Sequence, residues 1–354
     1  MVQGIVFMLM FMPGVAAAQD FQSVSFHAIV EHVSEERSEQ IPGTDVEQSI
    51  QTIIARLDAG ERITFTNDRV RLQAGDSFYG TYLETRDGER IYTVTEPDRR
   101  GALITVVALF SVVTVIVGGF VGFRALIALL GSGAIVFVYL LPELASGAPP
   151  IFTSVVAAAG ILAFAMVVTH GFRKTTLAAL VASVATIGIA AFLAEFFVSF
   201  ARLTGFTDDA SVILNLSIGG TLNMEGLLLA AIIIGVLGVI DDLAVTQVST
   251  VKELSHANST LSRSDIYRSA MRVGKEHVGA VTNTLVFAYT GAALPLLLLL
   301  TLLPESLALN INSEVVATEI IRTAVGGIAL CLILPIATIL GVLAHPAHGK
   351  EVKD

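Results

Sequence analysis

The segment Gly235-Val-Leu-Gly238-Val-Ile-Asp241-Asp242-Leu-Ala-Val-Thr246-Gln-Val-Ser249-Thr250-Val-Lys-Glu253 sets two carboxylates and several hydroxyls into an apolar run. Helical spacing places Gly235, Gly238, Asp242, Thr246, Ser249 and Glu253 along one stripe. Asp241 is rotated by about 100° and belongs to another face. Small residues at one end of the stripe allow close packing, while oxygens at the other end can line a cavity. A second run, Gly274-Lys-Glu276-His277-Val-Gly279-Ala-Val-Thr282-Asn283-Thr284, brings an amide and hydroxyls to a similar depth. Asp242, Thr246, Ser249, Asn283 and Thr284 together form an oxygen-rich candidate site. Such a set suits a proton or a hard cation rather than a soft metal. Two bland readings compete with it. Asp241 and Asp242 can mark a solvated membrane interface, and the neutral groups can serve interhelical hydrogen bonds worth about 0.6 kcal/mol on average. Glu319 and Arg322 are three residues apart and can pair on one helix face, either as part of a gate or as a structural ion pair.

Other chemistries lack their residues. His256, His277, His345 and His348 show no zinc spacing with cysteine, and Cys331 is alone, which excludes a disulfide framework. No P-loop occurs, so ATP would not act directly. An aspartyl dyad needs two converging carboxylates, whereas Asp241 and Asp242 diverge on one helix. Ser- and zinc-hydrolase motifs are absent too. The expectation is a protein that is not an enzyme and has no cofactor. His170 reads as an interfacial residue and Glu195 as facing an outer cavity or the interface.

The elements that carry these residues follow from composition. Of 354 residues 54% are hydrophobic and only 15% charged, with a mean hydropathy of +0.75. A soluble domain carries about 25% charged residues, so the fold class is an α-helical polytopic membrane protein. A net charge of -10 argues against a nucleic-acid binder. Apolar runs at about 101–122, 125–142, 150–169, 175–200, 226–249, 278–303 and 315–343 are each long enough to span, which gives seven transmembrane helices. Ser211–Ile218 is too short and reads as an interfacial or re-entrant piece. Pro295 and Pro335 should kink their helices. One set of loops holds Arg124, Arg173, Lys174, Lys252, Arg263, Arg268, Arg272, Lys275, Lys350 and Lys353, and the opposite set only Arg202. The basic set, including a 26-residue loop from Lys252 to His277, therefore faces the cytoplasm, as does the tail 346–354.

Residues 1–18 contain an apolar run ending in Ala16-Ala17-Ala18, which is either a signal peptide or an N-terminal anchor. Residues 19–100 hold 16 acidic and 9 basic residues and read as an exported β-rich domain, a small barrel of OB-like type. Strands are expected at Val24–Val33, Ile63–Phe65, Ser77–Thr85 and Arg90–Val94, with turns at Ala59-Gly60, Gly75-Asp76 and Asp87-Gly88. Gln48–Asp58 suits either strand or helix. The transmembrane domain then occupies 101–345.

The stretch from Gly235 to Pro295 resembles the signature region of the YibE/F-like family of bacterial multispanning membrane proteins. Gly235-Val-Leu-Gly238, Asp242, Ser249-Thr250, Glu253-Leu254, Gly274, Gly279, Thr282-Asn283-Thr284-Leu285, Ala288-Tyr289, Gly291 and Pro295 carry it. Leu141-Pro142, Gly171-Phe-Arg-Lys-Thr175, Leu203-Thr-Gly205 and Glu319-Ile-Ile-Arg322 extend it to roughly residues 20–343. Asp241 is an addition to the pattern, and Glu276-His277 departs from it. The resemblance implies a bacterial inner-membrane protein with an exported N-terminal domain but brings no settled activity. Two functional readings stay open: secondary transport of a cation or small solute, with or without proton coupling, in which Asp242 binds the proton or the ion, or a scaffold or accessory subunit whose exported domain binds a protein partner. Oligomeric state is not legible.

Overall fold

The computed structural model describes residues 24–40, 43, 47–85, 88–258, 260–302 and 306–345. Residues 1–18 and 346–354, with the expected signal peptide or anchor and the tail, lie outside the described residues. Contacts divide the chain into two compact units that meet between Val113 and Thr114.

The first unit is an antiparallel half-barrel. Its strands are β1 (Val24–Gln40), β2 (Glu47–Leu57), β3 (Arg62–Asn67), β4 (Ser77–Glu84) and β5 (Arg90–Pro97), in the order β3-β2-β1-β4-β5. The undecided segment 48–58 is thus a strand. It reads ambiguously because polar and apolar residues mix, and pairing with β1 on one side and β3 on the other settles it. Register shifts at Val30/His32 and Val33/Glu35 bend the 17-residue β1, so it pairs with β4 through its first part and with β2 through the rest. Alternation puts Ile53, Ala55, Ile63, Phe65, Phe78 and Val94 into one core. The buried Gln51 ties the loop after β3 to this core. Its amide donates to the Leu72 carbonyl (3.0 Å) and its oxygen accepts from the Leu72 N–H (2.8 Å).

A charged network closes one end of this unit. His27 Nδ1 lies 2.8 Å from Asp58 and Nε2 lies 3.4 Å from Asp98. The Arg100 guanidinium grips both Asp98 oxygens at 2.7–3.1 Å, and its backbone N–H donates to Asp98 at 2.9 Å. The guanidinium also lies over the Tyr79 ring, 5.0 Å from its centroid. These bonds from Arg100, aided by His27, hold the Asp98 carboxyl well below the usual range. A depressed folded value makes the contribution complete above about pH 4 and lost as pH falls towards the folded value. Asp98→Asn should therefore speed hydrogen exchange of β1 and β4 amides at neutral pH, and the gap to wild type should close as pH drops below about 4.

The second unit is helical. Its elements include the later part of α1 (Arg100–Ile135), a π-helical turn at Val136–Leu140, α2 (Leu141–Ala145), α3 (Pro150–His170) and α4 (Lys174–Phe200). The short α5 (Asp209–Ser217) follows, with a capping box between Asp208 and Ser211. Next come α6 (Met224–Ala257), α7 (Arg263–Ala292), α8 (Leu294–Leu302), α9 (Leu307–Asn312) and α10 (Glu314–Ala344). α6 packs against α3, α4, α7 and α10, while α10 also packs against α4 and α7. Ala179, Ala182, Thr186, Ala190 and Ala194 give α4 a small-residue face that lets its neighbours approach closely. At the opposite end from His170, the Glu314 carboxylate accepts from the Thr204 N–H (2.6 Å) and the Gly205 N–H (2.8 Å), which pins α10 to the loop after α4.

Among the described residues five helices are long and apolar enough to cross a membrane: Arg100–Ala145, α3, α4, α6 and α10. A sixth is the pair α7 and α8, bent by 63°. That bend falls just before Pro295, as expected, whereas Pro335 lies inside α10, which continues as one helix. The expected runs 101–122 and 125–142 lie in α1 and the two turns that follow it, and the helical backbone is broken at Gly119, where φ is 56° and ψ is -137°. Gly122 lies against the Thr114 carbonyl. An unbroken helix would hold those residues about 12 Å apart, so the chain reverses at Gly119. The expected 26-residue loop is mostly helix: α6 runs on to Ala257 and α7 starts at Arg263, capped by Ser262, whose hydroxyl accepts from the Asp265 N–H (3.2 Å). Its charges hide a regular apolar face, Ile266–Ala270–Gly274, which is buried. Only glycine adopts the Gly119 backbone without strain. Gly119→Ala should lower the melting temperature of the purified protein by several degrees, a destabilisation on the order of 1–3 kcal/mol. Gly118→Ala, which faces open space with ordinary φ, should not.

Candidate functional site

α6 begins under the Asn223 cap, which accepts from the Gly226 N–H at 2.9 Å. Its apolar face, including Ile233, Val236, Ile240, Leu243, Ala244, Val248 and Val251, is buried against the neighbouring helices. The opposite stripe stays open: Asp242 and Thr246 are exposed, Ser249 is half-buried and Glu253 is exposed. Asp241, on the other face, is half-buried. The polar group most committed to the interior is one the sequence reading passed over. Gln247 is buried, and its amide donates to the Ala270 carbonyl (3.0 Å) and to the Thr338 hydroxyl (2.8 Å). Thr338 in turn donates to the Leu334 carbonyl at 2.6 Å, so one amide links α6 to both α7 and α10. Gly274 gives this side chain its room, since a Cβ there would strike Gln247 and Leu334. The signal was present as a lone amide on the apolar face, four residues before Val251.

Asn283 and Thr284 are exposed on α7, and the Thr284 hydroxyl donates to the Ala280 carbonyl at 3.2 Å. Among the described residues no hydrogen bond joins either to Asp242, Thr246 or Ser249. Glu319 and Arg322 form an ion pair at 3.2 Å, both half-buried. Tyr289 lies within electrostatic reach of both, and its hydroxyl sits over Gly235, where a Cβ would come to 2.9 Å. The small end of the stripe thus accommodates a tyrosine from α7 beside the ion pair of α10. Among the described residues no group of three or more His, Cys, Asp or Glu side chains could hold a metal ion.

The polar end of the stripe opens on a cavity of about 450 Å³ between the ends of α3, α4, α6 and α10. Ser249 and Glu253 form part of its wall. A second hollow of about 550 Å³ shares His170, Val245, Ser249 and Glu253 and adds Thr246 and Thr250. Neither wall includes Asp242, Asn283 or Thr284. Asp242 lies within electrostatic reach of His170, as do Arg124 and Arg173. Arg124 donates to the last carbonyls of α3, Val167 (3.4 Å) and Val168, where a cation is favoured by the helix dipole. On the far wall, Thr175 Oγ1 is 3.1 Å from His345 Nε2. Burial, together with the charges of His256, Lys252 and Lys174, pulls the His345 pKa down, which favours its neutral form. The cavity therefore combines hydroxyls, fixed cations, the Glu253 carboxylate and two imidazoles beside the stripe.

No curated protein and no solved structure matches this chain. The model of the YibE/F-like protein family matches residues 106–346, a stretch that holds the α6 stripe, the Gln247 linkage and the cavity wall. The chain belongs to the YibE/F-like family.

Proposed function

We propose that this protein is a polytopic membrane permease, a secondary transporter of a small solute coupled to protons. The observation that carries the reading is the α6 stripe opposite the buried apolar face, in which Asp242 and Thr246 are exposed and Ser249 is half-buried, and of which Thr246, Ser249 and Glu253 border a cavity. Ionisable groups on membrane helices are costly and are retained where they meet substrates, ions or water. Asp242 is the proton-carrying group and the hydroxyls are its neutral partners. Glu319 and Arg322 brace the outer half. Asn283 and Thr284 face another side of α7 and enter the reading only if the bent α7–α8 pair moves.

The membrane arrangement belongs to the same proposal. The reversal at Gly119 divides the first long helix into two crossings, which with the other five spans gives seven. Ile116, Val117 and Phe120 beside it are 74–83% exposed, an apolar surface suited to lipid. The basic residues around the cavity then face the cytoplasm, and the half-barrel lies outside.

Flux in proteoliposomes under an imposed pH gradient, across a panel of small ions and solutes, tests the reading. Proton-coupled flux should fall by about tenfold or more in Asp242→Asn and persist in Asp241→Asn, both correctly inserted. Absence of flux from correctly inserted wild type would favour the accessory role, with a protein partner on the half-barrel.

A further inference from the structure

The cavity's charge is lopsided. Four fixed cations, Arg124, Arg173, Lys174 and Lys252, line it against one carboxylate, Glu253. Lys252 lies 3.4 Å from Glu253, whereas Arg124, Arg173 and Lys174 have no carboxylate within ion-pair distance among the described residues. Like charges gathered around a hollow repel one another, at a cost that an anion between them removes. The wall adds short donors suited to oxyanion oxygens: the hydroxyls of Thr169, Thr175, Thr176 and Ser249. The first turn of α4 also borders it, without a side-chain cap at Arg173. The arrangement is a poor one for a cation, since the same four charges would oppose its entry.

We propose that this cavity binds the phosphate group of an anionic ligand, either a phospholipid headgroup or a free phosphate-bearing solute. Arg173 and Lys174 supply the exposed charges that meet it first, Arg124 and Lys252 the flanking ones, and the hydroxyls orient its oxygens. Basic recesses between membrane helices on the positively charged side suit phospholipid headgroups, and a volume of about 450 Å³ has room for one phosphate with its substituent. Binding here does not require transport, so the proposal stands or falls apart from the permease reading.

The test uses the full chain in nanodiscs, with Arg173→Gln/Lys174→Gln as the variant. These side chains are exposed, so folding should survive their loss. Arg263→Gln/Arg268→Gln, which removes two charges from α7 outside the cavity, is the control for general charge. Binding of inorganic phosphate is measured by calorimetry in discs of neutral phosphatidylcholine. Retention of phosphatidylglycerol is measured by mass spectrometry on protein extracted from mixed discs. The proposal expects at least one of the two probes to bind wild type saturably, the cavity variant to bind it about tenfold more weakly or worse, and the control to match wild type. Phosphate binding identifies a free solute; retained phosphatidylglycerol without phosphate binding identifies a headgroup. If neither probe binds, or if cavity and control variants weaken binding equally, the proposal is overturned.

Discussion

The second unit depends on burying one 34-residue helix against four neighbours while one of its faces remains polar. Burial among apolar side chains offers the backbone no water, so the helix must satisfy its own main chain, and a buried side-chain polar group needs a partner. α6 meets that demand with two groups, Ser255, whose hydroxyl donates to the His345 carbonyl, and the more deeply buried amide of Gln247. Gln247 has donors directed to two neighbours, and the glycine and threonine beside it have the sizes that make this geometry possible. Because that linkage fixes the rotation of α6, it also fixes where Asp242, Thr246 and Ser249 point. The exposure of the candidate stripe is a consequence of how the apolar face is anchored.

The rest of the helical unit follows from close approach. The alanine-rich face of α4 and Gly341 of α10, which lies against Val251, bring backbones near enough for dispersion to act without bulky side chains between them. At the other end, Glu314 fastens α10 to Thr204 and Gly205, and Gly205 tucks under the Met224 carbonyl with φ at 87°. The two ends differ in chemistry. One is closed by carboxylate-to-backbone bonds, and the other surrounds a hollow with four cations, of which only Lys252 has a carboxylate within ion-pair distance among the described residues.

Much of the fold was legible because period and turn chemistry report directly on burial. β3 alternates exposed and buried along its whole length, and Gly60 and Gly75 take the positive φ that their turn positions suggested. The α6 stripe followed from helical period, whereas the family resemblance was carried by the residue types quoted between Gly235 and Pro295. The start of α7 was not: Arg263, Arg268, Arg272 and Lys275 look like a cytoplasmic loop, although every fourth residue from Ile266 to Gly274 is buried. The joining of Asn283 and Thr284 to Asp242 was inferred from depth alone, and depth says nothing about helix rotation. The cavity was illegible for a different reason. Its cations come from positions 124, 173, 174 and 252, which only folding brings together.

The central claim is that one face of α6 opens to water from the basic end while the opposite face is sealed. Cysteine accessibility tests it most directly. In a Cys331→Ser background, single cysteines replace Thr246, Ser249, Glu253, Leu243, Val248 and Val251, and a membrane-impermeant thiol reagent is applied from the basic side. The account predicts rapid labelling at 246, 249 and 253 and none at 243, 248 and 251. Labelling without that helical period, or protection of all six positions, would contradict it.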